Sequence, residues 1–149
     1  MLIFNRVTDI DTIDVLKSQK SFYGDFTYQY DQATIDLLKR NFTGPDSLYV
    51  VAMQDDDFAG FISCDTEWWE DNSFFLREIF VSPDHQKKGI GEQLMRKVLE
   101  HAHNHGASQV VTQTAFENVP MQKLCQSLGF KTWDNPQWKQ GITYKFSLI

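Results

Sequence analysis

The chain has 149 residues, 42% apolar and 23% charged, so residues 1–149 can enclose one sizeable core and read as a single domain. A net charge of −6 argues against general nucleic-acid binding, which needs a basic surface, and no apolar run is long enough to cross a membrane. The two isolated cysteines, Cys64 and Cys125, form no Cys-x-x-Cys pair, and Met1 is not followed by an apolar leader, which fits a reducing cytoplasm.

Charge is unevenly placed: residues 1–75 carry 14 acidic and 5 basic side chains, residues 76–149 carry 6 and 9. An anionic ligand on the second half and a cationic one on the first would use that asymmetry; a merely solvated acidic surface accounts for it equally well.

In chain order, Leu2 to Val7 reads as a strand, and Thr8 or Asp9 caps a helix with Ile10, Ile13 and Leu16 at helical spacing. The Tyr- and Phe-rich stretch 21–30, broken by Gly24, reads as a loop. Asp31 caps a second helix with Ile35, Leu38 and Phe42 on one side, ending at Gly44-Pro45. Residues 47–54 and 58–65 form a hairpin around Asp55-Asp56-Asp57, and 74–81 is a further strand. A long amphipathic helix, 89–105, leads to the strand 109–114, and one crossover helix makes those two strands parallel neighbours. Pro120 opens a short helix whose stripe Met121, Leu124, Cys125 and Leu128 ends at Gly129; strands 130–133 and 142–148 close the chain.

The strongest local signal is Val81-Ser82-Pro83-Asp84-His85-Gln86-Lys87-Lys88-Gly89-Ile90-Gly91, a strand end running through a glycine-containing turn into a helix. Such a turn offers unpaired backbone N–H groups and a favourable helix dipole to a phosphate. The third glycine of a dinucleotide fingerprint is missing, and there is no Gly-x-x-x-x-Gly-Lys-Ser/Thr stretch, which sets nicotinamide and nucleoside triphosphates aside.

With Gln86-x-x-Gly89-x-Gly91 after the strand Leu76 to Val81, and Asn118-x-x-Met121-x-x-x-Cys125-x-x-x-Gly129-Phe130 downstream, the sequence resembles the GNAT superfamily of acyl-CoA-dependent N-acyltransferases along essentially its whole length. The resemblance implies a three-layer α/β fold with a mixed, centrally splayed sheet. It implies acetyl-CoA as acyl donor, its pantetheine arm on the backbone of Ile79, Phe80 and Val81 and on Asn118. Its pyrophosphate would lie on Gln86, Lys87, Lys88, Gly89, Ile90, Gly91 and Glu92. For Asn118 a helix-entry role is the equal alternative.

Glu78 interrupts an apolar strand, faces away from Ile79 and Val81, and is the candidate base, an ion pair being its alternative. Where the family commonly has a tyrosine proton donor this chain has Cys125, which either donates or only packs in the apolar stripe. Tyr28, Asp65, Trp68 and Trp69 combine carboxylate and aromatic faces suited to a small cationic amine acceptor; an exposed acidic loop is the alternative. His101, His103 and His105 end the long helix and read as C-terminal caps, so no metal is assigned. Trp133 and Trp138 suit a homodimer interface as well as a core. The reading is therefore an N-acetyltransferase of a primary amine; its competitors are an acyl-CoA-binding sensor without turnover and an enzyme acetylating protein N-termini or lysines.

Overall fold

A computed structural model describes residues 1–23 and 26–149, with the side chains of residues 20–29 outside the description. The chain opens with strand β1 (Leu2–Arg6) and a 3-10 helix, Ile10–Ser18, capped by Asp9, whose carboxylate accepts from the Asp11 amide at 2.9 Å. Next come β2 (Lys20–Tyr23) and β3 (Phe26–Gln29), then α1 (Gln32–Phe42), where Asp31 caps the Thr34 amide at 2.8 Å. Strands β4 (Leu48–Gln54), β5 (Asp57–Asp65) and β6 (Ser73–Val81) precede α2 (Ile90–Asn104). The chain ends with β7 (Gln109–Ala115), α3 (Val119–Leu128), β8 (Lys131–Trp133) and β9 (Gly141–Ser147).

One expectation is corrected: residues 21–30 are not a loop, because β2 and β3 pair antiparallel with Tyr23 opposite Phe26. Aromatic and β-branched side chains on both sides of Gly24-Asp25 favour paired strands over an open connection.

Seven strands form one sheet in the order β1-β4-β5-β6-β7-β9-β8, with β6 and β7 parallel and every other pair antiparallel. Side-chain alternation puts one core on each face. Ile62, Leu76 and Val110 pack with Leu94 and Val98 of α2 and Cys125 of α3. Tyr49, Phe61 and Phe80 pack with Ile13 and Leu16 of the 3-10 helix and Ile35 and Leu38 of α1. Three layers result, each helix burying an apolar stripe. No helix among the described residues is long and apolar enough to cross a membrane.

Two irregularities position the site. The β6–β7 ladder runs only from Ser73–Gln109 to Leu76–Thr112, where the Thr112 hydroxyl donates to the Leu76 carbonyl at 3.0 Å; beyond it β6 pairs with β5 alone and β7 with β9 alone. On the other edge of β6, Ser63 lies opposite Glu78 but Cys64 lies opposite Leu76, which makes Arg77 the extra residue of a β-bulge. That one residue inverts the alternation. Leu76 faces α2 and α3, whereas Glu78 joins Phe80 on the opposite side.

Candidate active site

Where β6 and β7 part, a cavity of about 240 Å³ opens through the sheet. Thr114, Asn118 and Met121 line its α3 side, and Tyr30, Arg77, Glu78 and Gln113 line the other. The Glu78 amide donates to Ser63 Oγ at 3.1 Å and the Ser82 amide to the Ala59 carbonyl at 2.8 Å, both toward β5. Strand alternation between them turns the N–H and C=O groups of Ile79 and Val81 toward the gap. Phe80 keeps its ring in the core, stacked on Phe58 at 5.7 Å.

Glu78 is partly buried, and desolvation pushes its carboxyl up to about 7; the neighbouring Arg77 charge and a hydrogen bond from Tyr30 oppose that rise without cancelling it. No ion pair engages it among the described residues. The carboxyl therefore titrates near neutrality inside the gap, as a general base requires.

The candidate phosphate loop follows directly. Gln86 Nε2 donates to the Val81 carbonyl at 3.2 Å and ties the loop to the strand end. Lys87 and Gly89 have φ of 65° and 78°, so the backbone turns through left-handed geometry before α2 starts without a side-chain cap. The amides of Ile90, Gly91 and Glu92 in that first turn are consequently available to an anion. Ile90 itself packs in the core, Glu92 pairs with Arg96 at 2.8 Å, and Lys87 and Lys88 are exposed. A Cβ on Gly91 would lie 3.2 Å from Leu124 and 3.6 Å from Val81, so glycine lets α2 begin close against α3 and β6.

Asn118 takes the helix-entry role and also lines the gap. Its carboxamide oxygen caps the Met121 amide at 3.2 Å while the residue lines the gap. Beside it the Thr114 hydroxyl is buried with no partner among the described residues. Uncapped amides, a parted ladder and this orphaned hydroxyl together fit a long phosphorylated ligand with an amide-bearing arm, such as acetyl-CoA.

Of the two roles read for Cys125, packing suits the structure and proton donation does not. The thiol is fully enclosed in the core between α3 and the sheet, and burial pushes it up to about 12. Asp65, read as an acceptor ligand, is buried instead in a two-point pair with Arg77, at 2.7 and 3.0 Å. Trp68 stacks on Phe75 at 5.1 Å and donates to Glu70 at 2.9 Å, while Trp69, about half exposed, leans between Trp68 and Trp133. Lys145 lies over Trp133 and pairs with Glu70 at 2.8 Å. The Trp68–Trp69 segment is thus a structural cluster with its charges paired internally. The Tyr28 side chain falls outside the described residues. His101 and His105 hydrogen-bond the backbone carbonyls of Asp46 and His101, and no group of three metal-ligating side chains occurs among the described residues.

The gap also holds residues that sequence reasoning passed over. Tyr30 reads as one of the aromatic faces of the early loop, with no link to Glu78, yet its hydroxyl reaches Glu78 across the fold. Gln113 and Thr114 look like ordinary strand residues; only the parting of β6 from β7 exposes them.

Comparison with known proteins follows the same lines. The family described as "Acetyltransferase (GNAT) family" matches residues 15–130. Human N-acetyltransferase 8 is 29% identical over 112 residues, covering 73% of this chain and 48% of that protein. The crystal structure of nourseothricin acetyltransferase superposes with a TM-score of 0.76 at 18% identity over 99% of both chains. That of yncA from Salmonella typhimurium, with its cofactor acetyl-CoA, gives 0.73 at 15% identity over 99% of this chain and 94% of that one. The chain spans about a quarter to a half of the length of the curated relatives it first matches. Matched by the family over most of its residues, this chain belongs to the GNAT acetyltransferases.

Proposed function

We propose that this chain is an acetyl-CoA-dependent N-acetyltransferase that passes the acetyl group directly to a primary amine, with Glu78 receiving the amine proton. The observation that carries the reading is a carboxyl titrating near 7, free of any ion pair among the described residues, beside strand backbone left unpaired in the gap.

When bound, acetyl-CoA supplies an activated acyl carbonyl. The chain's own groups do the rest. An alkylammonium has a pKa near ~10.4, so full proton loss to a group at about 7 is uphill by roughly 4 to 5 kcal/mol. The cost falls as the nitrogen bonds to carbon and its proton becomes more acidic, so Glu78 acts as base during bond formation, directly or through a water. The Ile79 amide, turned into the gap, is placed to stabilise the carbonyl oxygen as it gains charge. A thiol at about 12 cannot readily protonate a leaving thiolate near ~8.5, which leaves solvent or the proton received by Glu78 for that step.

The missing donor favours one second reading, an acyl-CoA-binding module without efficient turnover. A thiol-release assay with acetyl-CoA across polyamines, aminoglycosides, amino acids and peptides separates the two. For the enzyme, Glu78→Gln lowers kcat/KM by about a thousandfold and removes a limb rising through pH 7, while Cys125→Ala stays within about threefold of the parent. Tight acetyl-CoA binding with no thiol release on any acceptor decides for the module.

A further inference from the structure

The carboxylates beside Trp68 and Trp69 are held by the chain's own cations: Asp65 by Arg77, Glu67 by Arg40, Glu70 by Lys145. Asp71 is exposed but precedes Ser73, at the end of β6 where the ladder with β7 is still closed. The five residues from Ser73 to Glu78 put it ~16 Å from the base. The carboxylates flanking Trp68 and Trp69 therefore offer a second ammonium no free partner near Glu78.

Apolar surface is what lies open instead. Phe116, directly after β7, is 56% exposed although aromatic side chains normally find cover. It begins a groove of about 410 Å³ that continues to Trp138 and Trp133 beneath the β8–β9 connection. The Trp138 ring closes on Gly141, where any Cβ would lie 2.5 Å from it, so the glycine allows the indole to form the groove wall. This groove and the gap share β7 as their common wall: Ala115 lines the gap and Phe116 the groove, and Gln113 of the gap lies opposite Thr143 of the groove. One to two strand spacings, ~5–10 Å, separate them.

We infer that the acceptor is a monoamine with an aryl or alkyl body, the nitrogen meeting Glu78 while the body lies along Phe116 and Trp138. The inference rests on the N-acetyltransferase reading and specifies its substrate class. Continuity of the groove with the gap argues for the substrate's own body as occupant, and an apolar ring shields Phe116 better than a hydrated polycation does.

The test compares kcat/KM for 2-phenylethylamine, ethylamine and spermidine, measured by thiol release from acetyl-CoA in the parent chain, Phe116→Ala and Trp138→Ala. The parent is expected to favour 2-phenylethylamine over ethylamine at least about tenfold, with spermidine behind it. Phe116→Ala, at an exposed position that the fold does not need, should reduce that preference about fivefold, mainly through KM. Trp138→Ala should do the same wherever its circular dichroism matches the parent. A preference for spermidine, equal use of the two monoamines, or an unchanged ratio in Phe116→Ala overturns the inference and leaves the enzyme reading standing. Silence with all three amines overturns both.

Discussion

Asp65 and Glu78 sit on adjacent strands of one sheet, and the protein treats them in opposite ways. Asp65 is buried against Arg77 with two charge-assisted hydrogen bonds, inside a cluster where Glu67 and Glu70 also have cations. Glu78, only one residue beyond Arg77, has a tyrosine hydrogen bond and no ion pair among the described residues, and its carboxyl rises to about 7. The bulge at Arg77 creates the difference by sending the two neighbouring side chains to different surroundings. Paired charge builds structure here; unpaired polarity is kept where the strands part.

The largest effect that could break this contrast comes from Asp65→Ala. Removing one partner of a buried pair leaves Arg77 uncompensated, and a loss of about 3 to 5 kcal/mol of stability is expected in urea or thermal unfolding. Adding Arg77→Met should recover much of it by removing the stranded charge. If Asp65→Ala unfolds like the parent but loses affinity for amines, Asp65 is an acceptor ligand after all and the contrast fails.

Gly91→Val sharpens the other side of the comparison. The new methyl groups meet Leu124 and Val81, so α2 must move away from β6 and take its first-turn amides with it. Acetyl-CoA affinity by calorimetry is expected to fall about ten- to a hundredfold, with a smaller loss of stability. Unchanged affinity would mean that those amides do not hold the cofactor's phosphates.

How much of this could be read from the letters depended on how local each cause is. The loop 81–91 and the entry and exit of α3 are set by Gly89, Gly91, Asn118, Pro120 and Gly129, residues whose backbone preferences act in place, and each was legible. Glu78 stood out because a carboxylate in an apolar strand has few explanations. Asp65 looked equally available, since its partner lies 12 residues away and pairs with it only once β5 and β6 align in register. The bulge at Arg77 leaves no mark of its own, because a bulge exists only relative to the partner strand. The β2–β3 pairing is not legible in the stretch 21–30 because Gly24 among aromatic residues suits an open loop as well as two short strands.

Tyr30→Phe gives the smallest and most discriminating effect. Tyr30 lies buried beside Phe80, their rings 6.1 Å apart, and its hydroxyl favours the charged form of Glu78. Removing the hydroxyl keeps the ring in the core but takes away that preference, so the carboxyl should titrate above its present value of about 7. The sign then follows for the rate. Less Glu78 is ionised at pH 6.5, so kcat/KM falls there up to about twofold, whereas near pH 9 the carboxylate is formed in both proteins and the rates converge. The limb moves to higher pH by a few tenths of a unit, in line with one hydrogen bond of about 0.5 to 1.5 kcal/mol partly replaced by water. A tyrosine that served only to fill the core would lower the rate by the same factor at every pH. A displaced limb with an unchanged plateau would instead make Tyr30 the residue that positions and tunes the base.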